Sequence, residues 1–418
     1  MRIGPTWRVL GALVIGLLLG ALTAKSSWSE PAVRMASAIG GLWLDALKMT
    51  VIPLIVALLV TGIVGGADAA RSGGTAGRSM LWFIILLTGS AVFGAIAMPA
   101  LLGLFPLPEA AAQALRAGLA GVQSSPEATA VPGLGEFVRS FVPSNVFKAA
   151  ADGAILPVVV FTTLFAFAIA AIEPGKQRVL AAFFDAVGDA MLVIIGWVLW
   201  LAPIGVFALA FSVGSGAGGA AFGAVLHYVV LVSLLGIAVL LSAYVVAALT
   251  TRWRLSSFAK AMISPQAVAI STQSSLASLP AMLGAARALG VPATSADVTL
   301  PLSVALFRAT GPAMNMGVAI YVAHWMGIGL SPLNLAIGVA VAATTTFSAV
   351  SLPGQLSFFT NIAPIALAMG VPIEPLAILI AVETIPDIFR TLGNVTMDVA
   401  VTGAVARKSL DPVVAPVD

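Results

Sequence analysis

Long apolar runs separated by short polar stretches dominate the chain. Runs of spanning length fall at about 7–25, 38–65, 79–105, 146–172, 187–213 and 223–250. Each approaches or exceeds the roughly 20 residues a helix needs to cross a bilayer, so the pattern predicts helices over all of them. Beyond residue 250 the pattern becomes irregular up to about 406. Apolar arms too short to cross alone flank two hydroxyl-rich interruptions there.

The first interruption reads Ser271-Thr272-Gln273-Ser274-Ser275-Leu276-Ala277-Ser278-Leu279-Pro280, and the second Thr344-Thr345-Thr346-Phe347-Ser348-Ala349-Val350-Ser351-Leu352-Pro353-Gly354-Gln355. Both reach Ser-Leu-Pro after a hydroxyl-rich run. Backbone of this kind at membrane depth is tolerated where it is buried in protein or faces a wet cavity. Matched interruptions in corresponding halves point to a transporter's binding site. The plainer alternative is a pair of ordinary loops between helices.

A third feature is a polar ladder in the last apolar stretch: Glu383, Asp387, Arg390, Asn394 and Asp398. At about 100° per residue these positions stay within about 80° of one helix face. An Asp or Arg at a bilayer centre costs on the order of 2.5–3.5 kcal/mol. Four ionisable groups in one span must therefore pair or line a cavity, and such a ladder marks a substrate or ion site.

Composition sharpens the class. The 418 residues are 60% hydrophobic and 9% charged, with a mean hydropathy of +1.08. That is a polytopic membrane protein. There is no cysteine, and the two histidines, His227 and His324, lie in separate segments. Disulfides, thiolate metal sites and a His-based metal site are thereby disfavoured. The net charge of +3 is small and scattered, which argues against a nucleic-acid partner. The first run, residues 9–24, could pass for a signal peptide; further apolar spans follow it, so it reads as a retained helix. Basic residues (Arg2, Arg8; Arg71, Arg78; Lys176, Arg178; Arg252, Arg254, Lys260; Arg407, Lys408) mark alternate connections. By the positive-inside rule both termini are expected in the cytoplasm.

Several motifs together resemble the dicarboxylate/amino acid:cation symporter family, relatives of the glutamate transporters. They are Leu47-Lys48-Met49-Thr50-Val51-Ile52-Pro53, Val142-Pro143-Ser144-Asn145-Val146-Phe147, Ala202-Pro203-Ile204-Gly205-Val206-Phe207-Ala208-Leu209, Ser274-Ser275 with Leu279-Pro280, and Asp387-Ile388-Phe389-Arg390-Thr391 with Asn394-Val395-Thr396 and Asp398. Their order covers nearly the whole chain. The resemblance implies an all-α polytopic membrane protein: eight transmembrane helices plus two re-entrant helical hairpins with inverted repeats, in a glutamate-transporter-like elevator fold. Residues 1–250 would hold helices 1–6, mainly a trimerisation scaffold with part of the carrier periphery. Residues 251–408 would form the transport core, and 409–418 a cytoplasmic tail. The implied setting is the cytoplasmic (inner) membrane of a bacterium or archaeon. There the protein would be a multi-pass homotrimer in lipid, with a small anionic solute as partner.

The same resemblance assigns roles. Asp387 would take a substrate's amino group and Arg390 its side-chain carboxylate, which suits the bidentate fork of a guanidinium. Thr391 and Asn394 would complete the substrate's hydrogen bonds. Asp398, with a backbone carbonyl at Asn394, would ligate sodium, a hard cation that prefers oxygen. Ser274 and Ser275 would offer hydroxyls and N–H groups to a carboxylate, or else cap a helix within the hairpin. Val350, Ser351 and Gly354 would surround the second, gating tip. Glu383 either titrates a proton or pairs with a nearby arginine. No cofactor is expected beyond Na+ as a candidate coupling ion.

One departure matters. The family's seventh helix breaks at Asn-Met-Asp-Gly-Thr. Asn315-Met316-Gly317 tempts an alignment, but an ungapped count from Leu300-Pro301-Leu302 to Trp325-Met326-Gly327 puts the motif at Phe307-Arg308-Ala309-Thr310-Gly311. Two sodium ligands then become Phe307 and Ala309, a substrate-facing threonine becomes Gly311, and Arg308 brings in a permanent cation. Arg308 would replace a bound cation beside Asp398 or Asp387, or pair with Glu383 for structure alone. Gln273 stands where many prokaryotic members carry arginine, and Thr88 and Ser90 lie near the expected sodium-ligand hydroxyls of the third helix.

The leading expectation is a symporter for an acidic amino acid or C4-type dicarboxylate, driven by sodium, protons or both. A sodium-independent carrier or exchanger, an anion-leaking channel-like member and a transport-deficient sensor are the alternatives. An enzyme is not expected, because no nucleophile–base pair, metal cluster or phosphate loop is evident.

Overall fold

The computed structural model describes residues 5–24, 26, 28–71, 74–108, 112–113, 116, 143–152, 155–217, 220–347 and 354–406. Among the described residues every regular element is helical. The first half contains α1 (Pro5–Thr23), α2 (Ser29–Arg71), α3 (Gly74–Leu104), α4 (Val146–Ala151), α5 (Ile155–Ala171), α6 (Pro174–Trp200), α7 (Ala202–Ala217) and α8 (Ala220–Thr250). The second half contains α9 (Leu255–Thr272), α10 (Ser275–Ala288), α11 (Ala293–Leu306), α12 (Thr310–Met326), α13 (Pro332–Phe347), α14 (Gly354–Ala368), α15 (Leu376–Leu379) and α16 (Thr384–Ala406).

Four of the described helices are long and apolar enough to cross a membrane: Ser29–Gly65, Gly74–Leu104, Pro174–Trp200 and Phe222–Thr250. Their outward faces stay apolar. On α3 the buried stripe Phe83, Leu87, Ala91, Gly94, Met98 and Leu102 recurs at helical spacing, while Leu81, Ile84, Ile85 and Ile96 on the other side are exposed. A helix apolar on both its packed and its exposed faces is solvated by lipid.

The apolar run at 187–213 is two helices rather than one. Pro203 lacks the N–H that a continuous helix would use, so the chain turns at Leu201, whose N–H donates to Val198 O at 3.1 Å. The run at 146–172 is likewise divided, into α4 and α5.

Without a hydrophobic driving force between helices in lipid, close approach through small residues does the packing. Glycines on α1 and α7 let these backbones meet: a Cβ on Gly20 would lie 2.2 Å from Phe211 O, and one on Gly214 would lie 2.4 Å from Leu17 O. Gly205 makes room for Trp43, whose Nε1 donates to Val198 O at 2.8 Å. Farther along α2, Lys48 Nζ pairs with Glu374 Oε1 at 2.7 Å, joining α2 to the turn ahead of α15.

In the second half, α9 and α10 pack on each other across the Gln273–Ser274 turn, and α13 and α14 pack on each other. The 344–355 interruption lies partly outside the described residues, and with it Val350 and Ser351. At the centre stands α16, packed against α8, α9, α10, α11, α3 and α12. Gly393 lets α16 come close to α12, since a Cβ there would meet Thr310 Cγ2 at 2.3 Å.

Candidate functional site

The break between α11 and α12 falls at residues 307–309, where the ungapped count places the motif. Asn315, the competing anchor, sits inside α12 and is buried. A break buried inside an apolar protein strands backbone groups, and neighbouring side chains must satisfy them. Here Thr310 N–H donates to Asn394 Oδ1 at 3.0 Å, and the Thr310 hydroxyl donates to the same oxygen at 2.6 Å. From α3, Ser90 Oγ donates to Ala309 O at 2.5 Å and accepts from Ala313 N–H at 3.2 Å. Ser90 thus serves the break directly, whereas Thr88 is exposed.

Phe307 is buried and stacks on Phe83, with ring centroids 4.6 Å apart. Where an amide would offer an oxygen, an aromatic pair fills the space. Ala309 likewise offers no side-chain oxygen. No cation can be ligated by these two side chains.

Beside the break is a cavity of ≈ 200 Å³, below the roughly 300–1,000 Å³ of pockets for drug-sized ligands and suited to a small solute. The α9–α10 turn contributes Thr272, Gln273, Ser274 and Ser275; the break contributes Arg308; α14 contributes Ser357; α16 contributes Asp387, Arg390, Thr391 and Asn394. Residues more than 100 positions apart in sequence therefore meet at one site. Gln273 is held in the left-handed region, φ 50°, to turn the chain there, and its Nε2 donates to Thr384 O at 3.4 Å. Ser274 Oγ accepts from Ala277 N–H at 3.2 Å, so its hydroxyl caps α10 while the residue lines the cavity. Thr391 Oγ1 donates to Asp387 O at 2.9 Å within α16. Gly354 opens α14.

The ladder is a connected network. Arg390 Nη2 donates to Glu383 Oε1 at 2.5 Å, Nη1 donates to Asn315 Oδ1 at 2.7 Å, and Nε pairs with Asp387 Oδ1 at 3.3 Å. Glu383 is buried and also accepts from the Tyr228 hydroxyl at 3.3 Å. Glu383 is therefore the partner of Arg390, not of Arg308. Residues 381–383 form tight turns ahead of α16 rather than its first helical turn, which lets the Glu383 side chain swing back to Arg390. Asn315 and Tyr228 complete this network, and the sequence offers one sign of it, an amide within the largely apolar α12.

Asp398 is different. It is fully buried, and among the described residues neither carboxylate oxygen has a hydrogen-bond partner. Ser303 on α11 stands beside it, but the Ser303 hydroxyl donates to Leu300 O at 2.9 Å. A buried unpartnered carboxylate is costly unless a cation or a proton accompanies it. Arg308 lies within electrostatic reach of Asp398 and Asp387, yet makes no hydrogen bond or ion pair within 4 Å among the described residues.

Residues 6–408 match the model of the sodium:dicarboxylate symporter family. The chain belongs to that family. It is a transporter family, not a class of enzymes. The proton/glutamate-aspartate symporter of Escherichia coli (strain K12) is 28% identical over 94% of this chain and 90% of its own length. The proton/sodium-glutamate symport protein of Bacillus subtilis (strain 168) is 28% identical over 92% and 89%. The C4-dicarboxylate transport protein of Laribacter hongkongensis (strain HLHK9) is 25% identical over 96% and 88%. Within this symporter family, the charged cavity between the α9–α10 turn, the α11–α12 break and α16 is the candidate transport site.

Proposed function

We propose that this chain is a secondary active carrier that moves a small acidic solute, an acidic amino acid or a C4-type dicarboxylate, across a bacterial inner membrane on a cation gradient. The observation that carries the reading is the ≈ 200 Å³ cavity. It brings Ser274, Ser275, Arg308, Asp387, Arg390, Thr391 and Asn394 together inside an apolar protein. Charged groups at that depth are tolerated for a solute or ion path. The relatives' names, which include glutamate, aspartate and C4-dicarboxylates, support the solute class.

In this reading the α9–α10 and α13–α14 pairs are re-entrant hairpins, with Val350, Ser351 and Gly354 at the second tip. Residues 251–408 are the core that travels past a trimeric scaffold built by 1–250, and both termini face the cytoplasm. Asp387 accepts the solute's amino group when there is one. Asp398, with the Asn394 carbonyl, holds the coupling cation, sodium or a proton.

A second version is favoured by one observation, the Phe83–Phe307 stack with Ala309 beside it. At least one sodium site is lost there, and the fixed charge of Arg308 stands in for a cation near Asp398. Uptake of labelled aspartate, glutamate, succinate and malate into proteoliposomes under imposed sodium or proton gradients tests both. Accumulation that collapses with the gradient is the expected result; gradient-independent equilibration would mean a channel, and no accumulation would sink the carrier. Arg308→Met should raise the sodium requirement, and an unchanged requirement defeats the substitution by Arg308.

A further inference from the structure

Among the described residues, one ion pair joins 1–250 to 251–408. Lys48 on α2 meets Glu374 in the turn ahead of α15, Nζ to Oε1 at 2.7 Å. Nearby, where α2 packs on α14, the boundary is apolar. Leu44, Leu47 and Val51 share one buried cluster with Phe358, Phe359 and Ile362. Apolar contact is non-directional, so such surfaces slide on one another without a preferred register. A charge-assisted hydrogen bond holds only near its own length, about 2.7–2.9 Å. The ion pair therefore supplies the register that the apolar surfaces lack.

Glu374 has no other anchor among the described residues. It is buried, its Oε2 has no hydrogen-bond partner, and its Oε1 is held by Lys48. A carboxylate kept for the stability of its own half would be paired within that half. This one is paired across the boundary, with one oxygen unused. Release to water would satisfy both oxygens, so the contact is one the protein can give up. Lys48 has a second carboxylate at hand. Asp45, one turn back on α2 and mostly exposed, lies 3.9 Å from its Nζ.

We infer that Lys48 and Glu374 form a releasable catch, which sets the position of the 251–408 core against α2 and must break in each transport cycle. The inference rests on the carrier reading above, in which that core travels past 1–250. Neither residue is among those lining the solute cavity. The catch therefore governs the rate of movement rather than recognition of the solute, and both are positioning residues.

Solute counterflow in proteoliposomes reads core movement. Thermal shift of detergent-purified full-length protein with aspartate and succinate reads binding and folding. Glu374→Gln removes the charge but keeps an oxygen for Lys48. It should speed counterflow by on the order of 10-fold, the factor for about 1.4 kcal/mol taken off a barrier, and should bind solute as the wild type does. Exchanging the charges, Lys48→Glu together with Glu374→Lys, should bring the rate back toward the wild type; a merely structural role gives no such return. The chain has no cysteine, so Lys48→Cys with Glu374→Cys can be bridged by a bismaleimide, and the bridge should stop counterflow. The inference is overturned if Glu374→Gln cycles no faster than the wild type, if the charge exchange brings the rate no closer to it, or if the bridged protein still transports. Any of these in a wild type that performs counterflow removes the catch alone. A wild type that binds solute without counterflow, or binds none, removes the carrier reading and the catch with it.

Discussion

The ring of Phe307 lies flat on that of Phe83, centroids 4.6 Å apart and planes 8° from parallel. This pair packs the α11–α12 break against α3 with apolar surface. Phe307→Ala should lower stability by on the order of 3 kcal/mol, the usual cost of emptying a buried aromatic site. Chemical or thermal unfolding in detergent would show it, and a change within error would mean that the break is held by Ser90 and Asn394 alone.

Glu383 and Arg390 form a buried pair, and breaking one side leaves the other without compensation. Glu383→Ala is expected to cost on the order of 3–5 kcal/mol. Glu383→Gln should cost less, because its amide oxygen still accepts from Arg390. Unfolding midpoints of the two variants check the order, and the reverse order would refute the pairing as a stabilising contact.

Lys48 and Glu374 make an asymmetric pair, with side chains 27% and 7% exposed. Removing the lysine strands a carboxylate that has little water; removing the carboxylate leaves a lysine that can reach solvent. Lys48→Met should therefore be the more harmful change, by roughly 1–3 kcal/mol over Glu374→Gln. It should also speed amide hydrogen exchange over residues 371–379. Equal effects on exchange would show that the contact does not hold α2 to this turn.

Gly20 and Gly11 lie on the same helix, α1, in different surroundings. A Cβ on Gly20 would strike Phe211 O at 2.2 Å, while nothing lies within 4 Å of one on Gly11. Gly20→Ala should destabilise by about 1–3 kcal/mol, and Gly11→Ala should be neutral or slightly stabilising because alanine favours helix. Thermal unfolding of the two variants in parallel decides it.

Much of the cavity's polar lining was legible in the sequence. Charges in an apolar span have few physical outlets, so Asp387, Arg390 and Asp398 announced themselves. The ungapped count likewise located the α11–α12 break, because a helix interruption inside an apolar core needs its own residues to satisfy the freed backbone groups. What the pattern could not reveal was which partners satisfy which group. Asn394 lines the cavity, and its side-chain oxygen also caps α12 through Thr310. Asn315 looked like a coincidence of motif, yet it holds Arg390. Ser274 carries a capping role that spacing alone left open.

The sequence by itself determined that the chain is a helical membrane protein with Asp387, Arg390, Asn394 and Asp398 on one face of its last helix. Periodicity and the cost of charge in lipid are local properties of a segment, and they survive without knowledge of its neighbours. Only the tertiary structure decided how the two arginines divide. Asn315 and Arg390 are 75 positions apart in sequence, and hydrogen-bond commitment depends on which helices meet and how closely. Gly393 sets that approach between α16 and α12, so that Arg390 is enclosed by its partners and Arg308 is left open to the cavity.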